Sequence, residues 1–94
     1  MPYILVRHKV EDYAQWKAEF DRHAAARREH GCQGGQIFRS ADDPNEVVVL
    51  LEWEIMEKGR RFTQSESLIK AMWEAGVAEE PDVYFLNEED RPSS

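Results

Sequence analysis

Glu46-Val47-Val48-Val49-Leu50-Leu51-Glu52-Trp53-Glu54 is the stretch on which the fold turns. Its five consecutive aliphatic residues, Val47 to Leu51, are rich in β-branched side chains, and the run is short for a helix, so it reads as a strand. Side chains alternate between the two faces of a strand. An unbroken aliphatic run therefore puts apolar groups on both faces and marks a strand covered on both sides.

Upstream, Gln33 to Ser40 holds two glycines and then Gln36-Ile37-Phe38-Arg39, a weaker strand. Ala41-Asp42-Asp43-Pro44-Asn45 is turn chemistry, so these two strands form a hairpin. Farther back, Tyr3 to Lys9 is a third β-rich run, followed by Asp12 as a helix N-cap with Gln15 completing a capping box. From Tyr13 the residues Trp16, Phe20, His23, Ala24 and Arg27 recur at steps of three and four along one stripe, and Gly31 ends that helix.

Downstream of Glu54, residues 57–64 read as a short helix despite Gly59. Ser65 caps a further helix carrying Leu68, Ile69, Met72, Trp73 and Ala75 on its apolar side, stopped by Gly76. Val83-Tyr84-Phe85-Leu86 is the last strand, and a polar tail follows. The expected organisation is one domain over residues 1–88 with a tail at 89–94. The order strand, helix, strand, strand, helix pair, strand is that of a ferredoxin-like split βαβ, an α+β fold with a four-stranded antiparallel-type sheet and its helices on one face. The first and third strands should be central.

Two helical segments cover only one side of such a sheet, yet Tyr3 to Val6, Val47 to Leu51 and Val83 to Leu86 are apolar on both. Left in water, the bare face would be a patch of roughly several hundred Å², larger than soluble monomers ordinarily expose. The tail, Glu88-Glu89-Asp90-Arg91-Pro92-Ser93-Ser94, carries nothing apolar to cover it. The expected cover is a second copy of the chain, giving a homodimer through the sheet faces.

Composition narrows the function. Ninety-four residues with 41% hydrophobic and 33% charged is the balance of a small soluble globular chain with no run able to span a membrane. A net charge of −7 and a pI near 4.9 repel phosphate backbones, so nucleic acid is not an expected partner, and neither is a membrane. The lone Cys32 and an opening without leader character give a cytoplasmic expectation. Gly34-Gly35 has neither the lysine nor the spacing of a phosphate loop, and no metal-ligand spacing is present, so no cofactor and no metal is expected.

The strand ending Glu52-Trp53-Glu54 and the segment Phe62-Thr63-Gln64-Ser65-Glu66-Ser67-Leu68 together resemble the dimeric α/β-barrel superfamily, and within it the antibiotic-biosynthesis-monooxygenase-like domains. The likeness extends over roughly Tyr3 to Glu88. It implies a cavity between sheet and helices without choosing its ligand and, if the protein oxidises a substrate, cofactor-free chemistry in which the substrate's own deprotonated ring activates oxygen. Haem-degrading relatives carry an Asn on the first strand, then a Trp, and a His ten residues beyond that Trp. Here the first strand lacks Asn, and Phe62 and Met72 stand at the other two positions, so haem is not implied.

Against that background the expected catalytic residues are His23 and His8. His23 lies on the inward helical stripe. His8 shares the parity of Ile4 and Val6 and, with the third strand taken as parallel to the first, falls near Glu52 as a His-carboxylate pair. Arg7 or Arg27 would steady an anion, and Trp16, Phe20, Glu52, Trp53, Phe62 and Met72 would line the substrate site. His30 is expected at a solvent-exposed helix end. The competing reading is a non-catalytic dimer, of stress-response or carrier type, whose aromatics are simply packed core.

Overall fold

The computed structural model describes residues 2–94, apart from the side chain of Ser67. Met1, the first residue of the expected domain, lies outside the described residues. The elements run β1 (Pro2–Lys9), α1 (Tyr13–Arg22), α2 (Ala24–Glu29), β2 (Cys32–Arg39), β3 (Glu46–Trp53), α3 (Met56–Thr63), α4 (Glu66–Glu74) and β4 (Asp82–Asn87). They form a four-stranded sheet in the order β2-β3-β1-β4, with the two most apolar strands in the middle.

Every pairing in that sheet is antiparallel. This corrects the expected parallel alignment of β1 and β3. The β1-helix-β2 crossover leaves β2 running with β1, and the tight β2-β3 hairpin reverses the chain, so β3 inserted between them opposes both. Tyr3 therefore faces Glu52 and His8 faces Val47. The His8-Glu52 pair does not exist, because the two residues stand at opposite ends of the register.

Alternation is clean along β3, where Val47, Val49, Leu51 and Trp53 are buried and their neighbours are partly exposed. These four join Ile4, Val10, Trp16, Cys32, Phe62 and Ala75 in a core beneath the helices. The opposite face of the sheet carries Leu5 against Leu50 and Tyr84, and Val48 against Phe38. Phe38 is 48% and Tyr84 53% exposed, so the outer face is apolar and uncovered in the single chain. Arg7 also points outward and ties three strands together at that face's edge, donating to Glu46 at 2.8 Å and Asp82 at 2.6 Å.

Asp12 caps α1 as expected, but by accepting from the Ala14 amide at 2.9 Å. Gln15 does not close a capping box; its side chain donates to the Glu74 carbonyl and joins α1 to the end of α4. The single expected helix is broken at His23, which ends α1 and opens α2. Gly31 at φ 98° and Gly76 at φ 76° occupy the left-handed region at the stops read from the sequence. Ser65 caps α4 by accepting from Leu68 N.

The expected apolar stripe of α4 is corrected in part: Ile69 is 50% and Trp73 79% exposed, since the helix turns only its Leu68, Ala71 and Met72 side toward the sheet. Beyond β4, Arg91 turns back to Glu88 and to the Tyr3 hydroxyl. Among the described residues no helix is long and apolar enough to cross a membrane.

Candidate functional site

The inward faces of β1 and β3 form a floor from Ile4, Val6, His8, Val49, Leu51 and Trp53. Trp16, Phe20, His23 and Arg27 descend from α1 and α2, Phe62 and Thr63 close the side from α3, and Leu68, Ala71, Met72 and Ala75 come from α4 and its end. Between them lies a cavity of about 70 Å³. A groove of about 510 Å³ under α4, bordered by Trp73 and the segment Val77 to Pro81, shares the walls Val6, Thr63, Leu68 and Met72 with it.

The cavity is walled by apolar atoms but is not electrically blank. His8 is 4% exposed, and neither Nδ1 nor Nε2 has a hydrogen-bond partner. Burial lowers its pKa to about 4, so the ring is neutral at pH 7 and presents one donor and one acceptor. His23 Nε2 is likewise buried and unpartnered, and the His23 ring lies 5.6 Å from Phe62. Burial lowers the His23 pKa, and the charges of Arg27 and His30 lower it further. Trp53 Nε1 is a fourth orphan atom, on a side chain 1% exposed whose rings stand 5.3 Å from Phe62.

Arg27 is 9% exposed, donates Nη1 to the Phe20 carbonyl at 2.7 Å and lies over the Phe20 ring at 3.6 Å. Trp16 stacks on Phe20 at 5.1 Å and tilts against His8 at 5.5 Å, so one aromatic row links the two ends of the cavity.

Of the residues singled out from the sequence, His8, His23, Trp16, Phe20, Arg27, Trp53, Phe62 and Met72 meet around this cavity. Arg7 and Glu52 do not. Both sit on the outer face, Arg7 held by two carboxylates and Glu52 opposite Tyr3, because each has the odd parity relative to its buried neighbours. His30 is not a free surface residue: its Nδ1 lies 2.8 Å from the Ala26 carbonyl, and its ring meets Phe62 edge-on at 5.3 Å. Glu19 lines the cavity and was missed, although it stands four residues before His23 on the same helical stripe. Leu68 and Ala75 were placed on an apolar helix side and Thr63 in the segment after Phe62, but none of them, nor Ala71, was read as lining the site. Among the described residues no group of three potential metal ligands comes together.

Known proteins give this geometry its context. The family profile described as antibiotic biosynthesis monooxygenase matches residues 3–73. A Bordetella bronchiseptica structure assigned to that family superposes with a TM-score of 0.80 at 19% identity, covering 94% of this chain and 96% of that one. A mutant of SnoaB, a cofactor-independent oxygenase from Streptomyces nogalater, superposes with a TM-score of 0.77 at 16% identity over 99% of this chain and 97% of its own. Rv0793 from Mycobacterium tuberculosis gives 0.67 at 16% identity, over 99% and 100%. No curated protein matches the sequence significantly. At these identities the superpositions establish a shared α+β ferredoxin-like fold, while the profile match spans most of the sequence. The chain belongs to the antibiotic biosynthesis monooxygenase family.

Proposed function

We propose that the protein is a homodimer that binds a small aromatic or hydrophobic molecule in the cavity between sheet and helices and oxygenates it without a cofactor. One observation carries this reading: His8 Nδ1 and Nε2, His23 Nε2 and Trp53 Nε1 are all buried without partners around one apolar cavity. Buried polar atoms in a finished core are almost always hydrogen-bonded, and leaving one unmade costs about 1–3 kcal/mol. Four gathered at one place suit a ligand that supplies the missing partners. The cofactor-independent oxygenase SnoaB, built on the same fold, supports the choice of chemistry.

In this reading His23, uncharged at pH 7, accepts the proton of a phenolic or quinol hydroxyl. His8, whose pKa burial lowers to about 4, serves as a neutral hydrogen-bonding partner. The deprotonated ring gives its electrons to O₂. One oxygen atom ends as a ring carbonyl and the other leaves as water, with all four electrons coming from the substrate. The aromatic row and Trp53 keep bulk water from the carbanion. The apolar outer face is the dimer interface, with residues 1–88 as the domain and 89–94 as its tail, in a cytoplasmic setting.

The test is oxygen uptake by metal-free protein with quinols and phenols, alongside His23→Ala, which should lower the rate by a factor of about 10² or more. No turnover and no thermal shift with any of these compounds would overturn the reading. A non-catalytic dimer of stress-response or carrier type with a packed interior is the second reading, favoured by the inner cavity of only about 70 Å³. Pockets for drug-sized ligands start near ~300 Å³, so an enzyme of this kind must also use the adjoining groove. Thermal shifts without oxygen uptake would select the carrier.

A further inference from the structure

Among the described residues, ion pairs pass over the exposed Arg28, Arg39 and Arg60 and also Arg27, the one buried arginine. Arg7, Arg22, Arg61 and Arg91 lie at the surface, and each holds a carboxylate. Arg27, the buried one, makes no ion pair among the described residues. Of the acids around it in sequence, Glu29 is exposed at the end of α2 and makes no ion pair with it among the described residues, while Asp21 is held by Lys17 at 2.5 Å and Glu19 by Arg22. A guanidinium remains charged in proteins, and a buried charge is costly unless a counter-charge meets it. The Phe20 carbonyl takes one N–H and the Phe20 ring one face; the other guanidinium N–H groups have no protein partner among the described residues and none of them is sealed from solvent.

Arg27 also stands between two hollows. It lines the cavity beside His23, and it lines a surface groove of about 270 Å³ over β2 together with Arg28, Gln33 and Gln36. That groove has no carboxylate in its walls, and the cavity's only one is Glu19, already engaged by Arg22.

We propose that Arg27 receives the carboxylate of an aromatic acid whose ring enters the cavity and extends into the adjoining groove under α4. This rests on the cavity being a ligand site, as proposed above, and adds the class of compound it takes. The planar guanidinium matches a carboxylate in two parallel hydrogen bonds, which an ammonium or an amide cannot do. Arg28 places a second positive charge on the same groove. The ring then meets Phe20, His23 and Trp53, the apolar and orphaned polar groups of the interior.

The experiment is calorimetric titration of the full chain at pH 7 with 2-naphthoate, its uncharged counterpart 2-naphthamide, and 2-naphthol. Wild-type protein should bind the acid about tenfold or more tightly than the amide, as a charge-assisted pair requires. Arg27→Gln, shown folded by circular dichroism, should bring that ratio to about one, with Arg27→Lys in between because it keeps the charge and loses the fork. Equal binding of acid and amide by the wild type, or an unchanged ratio in either variant, would overturn the proposal. Arg27→Lys alone decides if the glutamine variant does not fold. Binding of 2-naphthol without naphthoate would overturn this inference and leave the proposed function standing, whereas no binding of any of the three overturns both.

Discussion

His8 packs its ring against Trp16, with centroids 5.5 Å apart and planes at 54°, while neither of its nitrogens meets a hydrogen-bond partner. The imidazole is thus held as a neutral group inside the apolar layer. Its folded-state pKa of about 4 is below the ordinary 6.5, so the unfolded chain takes up a proton that the folded chain refuses.

Stability from this residue is fully present above pH 6.5 and is lost as pH falls from there toward 4. A gap of that size corresponds to about 3 kcal/mol. Urea unfolding of wild type and His8→Leu at neutral pH and near the lower limit should show the wild type losing this much more than the variant. Equal losses would mean that other groups carry the acid sensitivity.

Gly35 lies opposite Leu51 in the β2-β3 pairing. A methyl group there would lie 1.9 Å from the Leu50 carbonyl oxygen and 2.9 Å from the Leu51 Cα, both backbone atoms that cannot rotate away. Gly35→Ala should therefore destabilise by about 3 kcal/mol or more, at or beyond the upper end for overpacking. A melting temperature within a degree or two of wild type would contradict the register of this hairpin.

The tryptophans on the helices should behave oppositely. Trp16 is 4% exposed between His8 and Phe20, and Trp16→Ala should cost about 3–5 kcal/mol. Trp73 is 79% exposed, and Trp73→Ala should stay within about 0.5 kcal/mol. Chemical denaturation of the two variants compares them directly, and a large loss at Trp73 would place α4 differently.

Leu5 lies in the middle of the outer face, between Leu50 and Tyr84. If that face joins two chains, sedimentation should report twice the 11.0 kDa chain mass, and Leu5→Glu should return the protein to single chains. Wild type sedimenting as a single chain at micromolar concentration would remove the dimer from the proposed function.

Much of the fold was open to reading because its signals are local. The run Val47 to Leu51 announces a central strand by composition alone, Gly31 and Gly76 mark helix ends because they take left-handed backbone, and Ser65 announces a helix start through one side-chain oxygen. Strand direction is not local. Whether β1 and β3 run together depends on the connections that lie between them, and one inverted choice moved Glu52 from beside His8 to beside Tyr3. The break at His23 and the exposure of Trp73 were hidden for a related reason: helical spacing says which residues share a stripe, but the width of the sheet decides how much of the stripe it can cover.

The amino-acid sequence by itself determined the order of elements, the double-sided apolarity of the central strands, and the inward parity of His8, Trp16, His23 and Arg27. Tertiary structure alone decided that these four converge on one cavity, that Arg7 and Glu52 are excluded from it, and that Glu19 joins it. The reason is physical. Periodicity assigns each residue a face of its own element, whereas a site is made by faces of several elements meeting, and that meeting depends on register and packing across residues far apart in the chain.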